Sequence, residues 1–194
     1  MRSADDSFLD GIGPAGFVLL DFWQWSNSDL LTNTTRGVLA EFIVAKALGV
    51  SDKPRIAWDA FDLLTSSGVP VEVKSCAYIQ SWEQKKPSSI SFVIRKTKRL
   101  DPAKGAYAGD PRRQAAIYVF AVLSHQDRET VNPMDLEQWD FYCVLTSVLD
   151  ARTRSQHSLT LKSLQGLAQK VSFSRLKDAV QALEKELSQE GLHQ

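Results

Sequence analysis

A single α/β domain is the fold class this sequence predicts, and three observations predict it. Val69, Val71 and Val73 alternate with Pro70, Glu72 and Lys74, the period of two that puts apolar side chains on one face of a strand. Thr35 to Val50, TRGVLAEFIVAKALGV, reads as a helix, with Asn33, Thr34 and Thr35 as candidate N-caps and Gly49 as its stop. Ala115 to Leu123 and Trp139 to Thr146 are apolar runs of the kind that form buried strands. At 194 residues the chain is long enough for one substantial core. Its 43% hydrophobic and 24% charged content is ordinary for a globular protein. No internal repeat and no separate domain is visible, so residues 1–194 are read as one domain, with a core at about 33–146 and a C-terminal helical extension at about 160–190.

The remaining elements follow in order. Gly11-Ile-Gly-Pro-Ala-Gly16 has the glycine spacing of a dinucleotide-binding turn, but no strand precedes it and Pro14 sits inside it, so it reads as a loop leading into Phe17 to Trp25. Ser66-Ser67-Gly68 supplies a tight turn, and Pro70, lacking an amide donor, fits the start or edge of the strand that follows. Ser89 to Ile94 reads as a third strand. Residues 97–114, with Pro102, Gly105, Gly109 and Pro111, read as a long loop or lid. Asp127 to Gln138 is a polar connection, and Leu159 to Leu161 a short strand before a helix near Ser163 to Ala168. Ser174 caps a final helix through about Ser188. Its Leu176, Ala179, Val180, Leu183 and Leu187 keep helical spacing, which suits a packing helix, with a homodimer contact as its alternative use.

The chemistry lies in Ile56 to Trp82. Asp62 falls near the end of one strand and Glu72-Val73-Lys74 inside the next, so a hairpin here brings Asp62 close to Glu72. Two carboxylates that close repel, and either one pKa rises or a cation sits between them. Oxygen ligands with no nearby Cys or His favour Mg²⁺ or Mn²⁺. Such a cation polarises a phosphate and activates a water, with Lys74 to position that water or offset charge. The alternative for Glu72 and Lys74 is an ordinary solvent-facing strand edge. A second Glu-x-Lys, Glu83-Gln84-Lys85, reads as solvated surface. On a helix, Glu41 falls between Gly37, Val38, Ala45 and Leu48, an apolar or small-residue sector. A carboxylate there is costly unless it is bound to metal or paired with an arginine, and both readings stand.

Gly37-x-x-x-Glu41 on a helix, Asp62 on a strand and Glu72-x-Lys74 on the next strand together resemble the PD-(D/E)XK nuclease superfamily, which includes restriction endonucleases, Holliday junction resolvases and RecB-like nucleases. The resemblance covers residues 33–95, and more loosely the apolar strands at 115–146. It implies a restriction-endonuclease-like α-β-β-β-α-β core with a mixed central sheet flanked by helices. It also implies Asp62 and Glu72 as metal ligands, Lys74 as the catalytic lysine and Glu41 as an accessory carboxylate. The proline that precedes the aspartate in the family pattern is Phe61 here. Asp59 is a rival for the aspartate role. It faces the opposite side of a regular strand, and Asp62 is favoured because Leu63-Leu64 runs from it into the turn. Gln80 and Trp82 extend the Glu72 and Lys74 face if the strand runs on. Gln80 would then lie about 20 Å from Lys74, in reach of nucleic acid rather than metal. The alternative is polar strand surface. The glutamine-x-x-x-tyrosine motif of RecB-like members is not matched, since Gln84 stands four residues after Gln80.

Formal net charge is zero but unevenly spread. Residues 84–113 hold nine Lys and Arg against two Asp, a net +7, whereas residues 1–31 hold Arg2 against five Asp, a net −4. A local basic zone is what phosphate binding needs. Lys96, Arg112 and Arg113 are therefore candidate DNA contacts with Gln80, the alternative being a solvated loop with scattered charge. Cys76 and Cys143 read as buried, reduced thiols, which suits a cytoplasmic protein. His125, His157 and His193 have no metal-ligand spacing. There is no Walker loop, no Gly-x-Ser-x-Gly elbow, no signal peptide and no membrane span. The expectation is a Mg²⁺- or Mn²⁺-dependent DNA endonuclease with a role in restriction, repair or defence. Cutting both strands would take a homodimer or two successive nicks. The rival readings are a nuclease-like binding module without catalysis and an RNA nuclease.

Overall fold

The computed structural model describes residues 1–56, 60–101 and 106–191. In chain order the elements are β1 (Ser7–Leu9), β2 (Pro14–Val18), α1 (Leu19–Asn27), α2 (Asn33–Leu48), β3 (Leu63–Leu64), β4 (Pro70–Ala77), β5 (Ser91–Val93), β6 (Thr97–Asp101), β7 (Ala106–Arg112), β8 (Ile117–Leu123), β9 (Trp139–Leu145), α3 (Thr146–Asp150), β10 (Ser158–Thr160), α4 (Leu161–Gln165) and α5 (Phe173–Gly191). The rival aspartate, Asp59, lies outside the described residues.

The centre is a mixed four-stranded sheet in the order β3-β4-β8-β9. β4 and β8 run parallel, from Val71 opposite Ile117 to Ala77 opposite Leu123, and β9 returns antiparallel along β8. Every residue of β8 is buried, as the continuous apolar run requires of a strand covered on both faces. Helices α2 and α5 cover one face. Ala40, Val44, Leu176 and Val180 pack there against Val71, Val73, Val119, Phe141 and Trp139. The other face carries Tyr118, Phe120, Val122, Tyr142 and Val144 under Ile90, Phe92, Ile94, Leu149, Leu159 and Leu164. Phe92 meets Phe120 edge to face at 4.9 Å. Burying a side chain of this size contributes about 2–3 kcal/mol.

Helix α2 starts at Thr32, whose hydroxyl accepts from the Thr35 amide, and ends at Gly49 with φ 73°, a left-handed C-cap that glycine takes without strain. The expected mixed central sheet flanked by helices is present. Its third member is not Ser89 to Ile94, however. β5 forms there, but it pairs with β10, Phe92 opposite Leu159, and lies over the second face of the sheet. Alternation of Ile90, Phe92 and Ile94 announces a strand with one buried face and says nothing about its partner. The stretch read as a long loop or lid is a two-stranded ribbon, β6 with β7, apart from residues 102–105, which lie outside the described residues. The ribbon and β5 together occupy the crossover between the parallel strands β4 and β8, a connection more often made by a helix.

At the N-terminus β1 and β2 pair with each other, Phe8 stacks on Phe17 at 4.7 Å, and α1 buries none of its residues. Among the described residues no helix is long and apolar enough to cross a membrane.

Candidate functional site

The site is built on the β3–β4 hairpin. Thr65 and Val69 close the turn with a 3.0 Å backbone bond, and Gly68 takes φ 83° inside it. Leu63 pairs with Val71, so continuing the ladder would bring residue 61 opposite Val73. It does not continue. The Asp62 amide donates to the Val71 carbonyl at 3.1 Å, and the Val73 amide instead donates to Asp62 Oδ2 at 2.7 Å. The aspartate side chain thus takes the place of a strand carbonyl and is held against β4 beside Glu72.

Period two then puts Glu72 and Lys74 on one face, where Lys74 Nζ forms an ion pair with Glu72 Oε1. Their side chains are 19% and 32% exposed, on a stretch of β4 that pairs with β8 beyond the end of the β3 ladder at Val71. Burial, then the Glu72 carboxylate, then Glu41 push the Asp62 carboxyl up to about 7; the Val73 amide and Lys74 pull the other way. Burial, then Glu72, with smaller contributions from Asp150 and Asp62 and against the pull of Arg113, raises Tyr118, directly opposite Glu72 on β8, above the ordinary phenol range.

Glu41 joins from α2. Of its sector Leu48 packs into the core, but Glu41 itself does not. It lines a cleft of about 600 Å³ between α2 and residues 49–65, with Val38, Phe42, Arg55, Phe61 and Asp62. Glu41 holds Arg55 in a two-point pair, Oε2 to Nε and Oε1 to Nη2 at 3.0 Å. The arginine partner allowed for in the sequence is therefore Arg55, and its guanidinium also feels Asp62. Arg55 balances the Glu41 carboxylate and lies near Asp62, so it would compete with any cation drawn to these groups. Arg55→Met is expected to tighten Mn²⁺ binding about fivefold, the equivalent of about 1 kcal/mol for a partly exposed pair. Titration followed by the EPR signal of free Mn²⁺ checks this, and an unchanged Kd would dismiss Arg55 as a competitor.

The structure brings Asp62, Glu72, Lys74 and Glu41 together and leaves the expected DNA contacts elsewhere. β4 ends at Ala77, so Gln80 does not extend its face. Gln80 is buried, 6% exposed, accepting from Arg36 Nη1 at 3.2 Å and donating to the Ala77 carbonyl at 2.8 Å. It braces α2 against the chain leaving β4 and is not presented to a ligand. The Arg113 side chain is also fully buried. It donates to the Ile94 carbonyl, to Gln156 and to Asp150, a carboxylate that also holds Lys96 at 3.0 Å. Arg112 is exposed, and its side chain donates to Gln114 Oε1 at 3.3 Å. Of the four, Arg112 and the partly exposed Lys96 keep a surface a phosphate could reach. Arg55 and Tyr118 escaped the sequence reading because one lies in an irregular segment and the other inside an apolar run.

Among the described residues no group of three or more His, Cys, Asp and Glu is arranged to hold a metal ion. No family model matches this chain. No curated protein matches it either. Among solved structures it is similar to a bacterial homing endonuclease, I-Ssp6803I, at 18% identity over 81% of this chain and 97% of that one, with a TM-score of 0.43, a distant likeness.

Proposed function

We propose that this chain is a metal-dependent nuclease that hydrolyses phosphodiester bonds in DNA. The observation that carries the reading is the placement of Asp62, held by the Val73 amide at 2.7 Å beside the Glu72–Lys74 pair, where burial and the Glu72 and Glu41 charges push its carboxyl up to about 7. Repelling carboxylates with a lysine alongside are a site waiting for positive charge. The donor set fits Mg²⁺ or Mn²⁺. It consists of oxygen alone, and Asp62 with Glu72 would give two carboxylates, the small protein share that magnesium takes when waters and substrate phosphate complete its shell. When bound, the metal supplies Lewis-acid polarisation of the phosphate and a water of lowered pKa.

The chain's own groups would do the rest. Asp62 stays oriented by the Val73 amide. Lys74 pairs with Glu72, and with Glu72 holding a cation its ammonium would be free to position the attacking water or to offset charge on the phosphate. Glu41 adds negative potential from α2. One such site breaks one strand, so duplex scission would need a homodimer or successive nicks. Cys76 and Cys143 are free thiols, which fits a reducing cytoplasmic setting. A role in restriction, repair or defence is compatible with this chemistry.

The test is cleavage of supercoiled plasmid, of branched and single-stranded DNA and of an RNA oligonucleotide, with Mg²⁺, Mn²⁺ or EDTA. Wild type should cut DNA only with metal, and Lys74→Ala should lose at least about 100-fold in rate while still binding Mn²⁺. Full activity in Lys74→Ala would remove the catalytic assignment. Binding of DNA without cleavage of any substrate would favour the inactive module, and preference for the RNA would change the substrate.

A further inference from the structure

The ribbon formed by β6 and β7 has no role in the hairpin chemistry, yet it is built with care. Among the described residues its strands pair only with each other, with Thr97 opposite Arg112 and Asp101 opposite Ala106. An isolated two-stranded ribbon is marginal in water. This one is clamped at its root. Arg113, immediately after β7, donates from Nε to the Ile94 carbonyl at 3.0 Å and from Nη2 to the Gln156 carbonyl at 3.1 Å. Its Nη1 bonds Gln156 Oε1 at 3.0 Å and also pairs with Asp150. Gln114 ties the two strands together through the Thr97 carbonyl at 3.2 Å and the Arg112 carbonyl at 3.4 Å. A fully buried guanidinium carries a desolvation cost, and here it fixes the angle at which the ribbon leaves the body.

The root lies at the catalytic end of the sheet. The Ala116 amide donates to the Pro70 carbonyl at 2.9 Å, and β8 then begins opposite Val71, so that Tyr118 faces Glu72. Tyr118 feels Glu72, Arg113, Asp150 and Asp62. Arg95, Lys98 and Arg112 are exposed around the root. Cationic flanks on a narrow ribbon match one receptor well: the major groove of duplex DNA is about 12 Å wide, admits a two-stranded ribbon and is walled by phosphates.

We propose that β6 and β7 are a duplex-reading arm that enters the major groove beside the scissile phosphate, with Arg113 as its positioning residue. The placement beside a scissile phosphate rests on the nuclease reading; groove binding does not.

The experiment is therefore metal-free: fluorescence anisotropy of a labelled DNA duplex in EDTA, with methyl green as a major-groove competitor and netropsin as a minor-groove one. Methyl green should displace the protein and netropsin should not. Lys98→Glu with Arg112→Glu should raise Kd at least about tenfold and lower the slope of log Kd against log salt by about 2. Replacing residues 98–111 by an Asn-Gly turn should abolish duplex binding while Mn²⁺ binding persists. The double reversal decides the matter if the excised protein does not fold. Displacement by netropsin, or wild-type affinity and salt slope in the double reversal, overturns the arm. Duplex binding through the ribbon with no cleavage of any substrate keeps the arm and sinks the nuclease; cleavage indifferent to the ribbon variants does the reverse.

Discussion

Asp62→Asn is expected to abolish metal-dependent cleavage and, in the same protein, to make the metal-free fold more stable at neutral pH. Both effects come from one feature. With its carboxyl raised to about 7 by burial and by Glu72, Asp62 holds its proton in the folded chain over a range where the unfolded chain has lost it. The folded state binds the extra proton between about pH 4 and pH 7, so this group's contribution to stability falls as pH rises through that window and is flat above it. The span corresponds to at most about 4 kcal/mol. Asparagine cannot ionise and can still accept from the Val73 amide through its carbonyl oxygen. Urea unfolding of wild type and variant from pH 4 to pH 8 should show the two curves close together in acid and the variant ahead by a few kcal/mol at pH 8. A constant difference across that range would mean that Asp62 ionises normally. Metal affinity should fall with acid below pH 7 in wild type, because the cation must displace the same proton.

Arg113→Met is expected to cost about 3 kcal/mol of stability, because it leaves the Gln156 and Ile94 carbonyls without this donor and leaves the Asp150 carboxylate with Lys96 alone. For a chain of this size that is a fall in Tm of about 6–12 °C. Arg113→Lys should recover only part of the loss, since an ammonium on a flexible stem cannot reproduce a fork that meets four acceptors. Thermal unfolding followed by circular dichroism decides it. A Tm within a degree of wild type would show the clamp to be idle, and the ribbon angle would need another cause.

The parts legible in the sequence were the local ones. Val69 to Lys74 alternates and Ser66 to Gly68 turns, which was enough to predict a hairpin placing Asp62 against Glu72; the 2.7 Å bond to Val73 is the form that closeness takes. Helix α2 was readable from its Gly49 stop and its cluster of polar residues at the start, although the cap is Thr32, one residue before the candidates Asn33, Thr34 and Thr35. What escaped was long-range. The apolar alternation around Phe92 is the same whether its strand joins the central sheet or lies across it. Glycine and proline between residues 97 and 114 suggested a loop, yet a ribbon tolerates Gly109 at φ 76° beside a shift in register and Pro111 near its end. Nor does a sequence say which arginines are buried: Arg113 looked like one more surface cation, whereas Arg55, the partner of Glu41, lay in a stretch with no pattern to read.

The open edges of the ribbon have a cost of their own. Among the described residues this strand pair has no further neighbour, so it offers backbone donors and acceptors to any other strand, including the same ribbon on another molecule. Lys98 and Arg112 stand exposed along it, and Pro111 withholds a donor. Like charges keep two such edges apart only while their repulsion is felt, and at high ionic strength it is screened within a few ångströms. The positive charge suited to gripping a polyanion is thus also what keeps this protein from pairing edge to edge with itself, and light scattering should rise with salt as that protection fades.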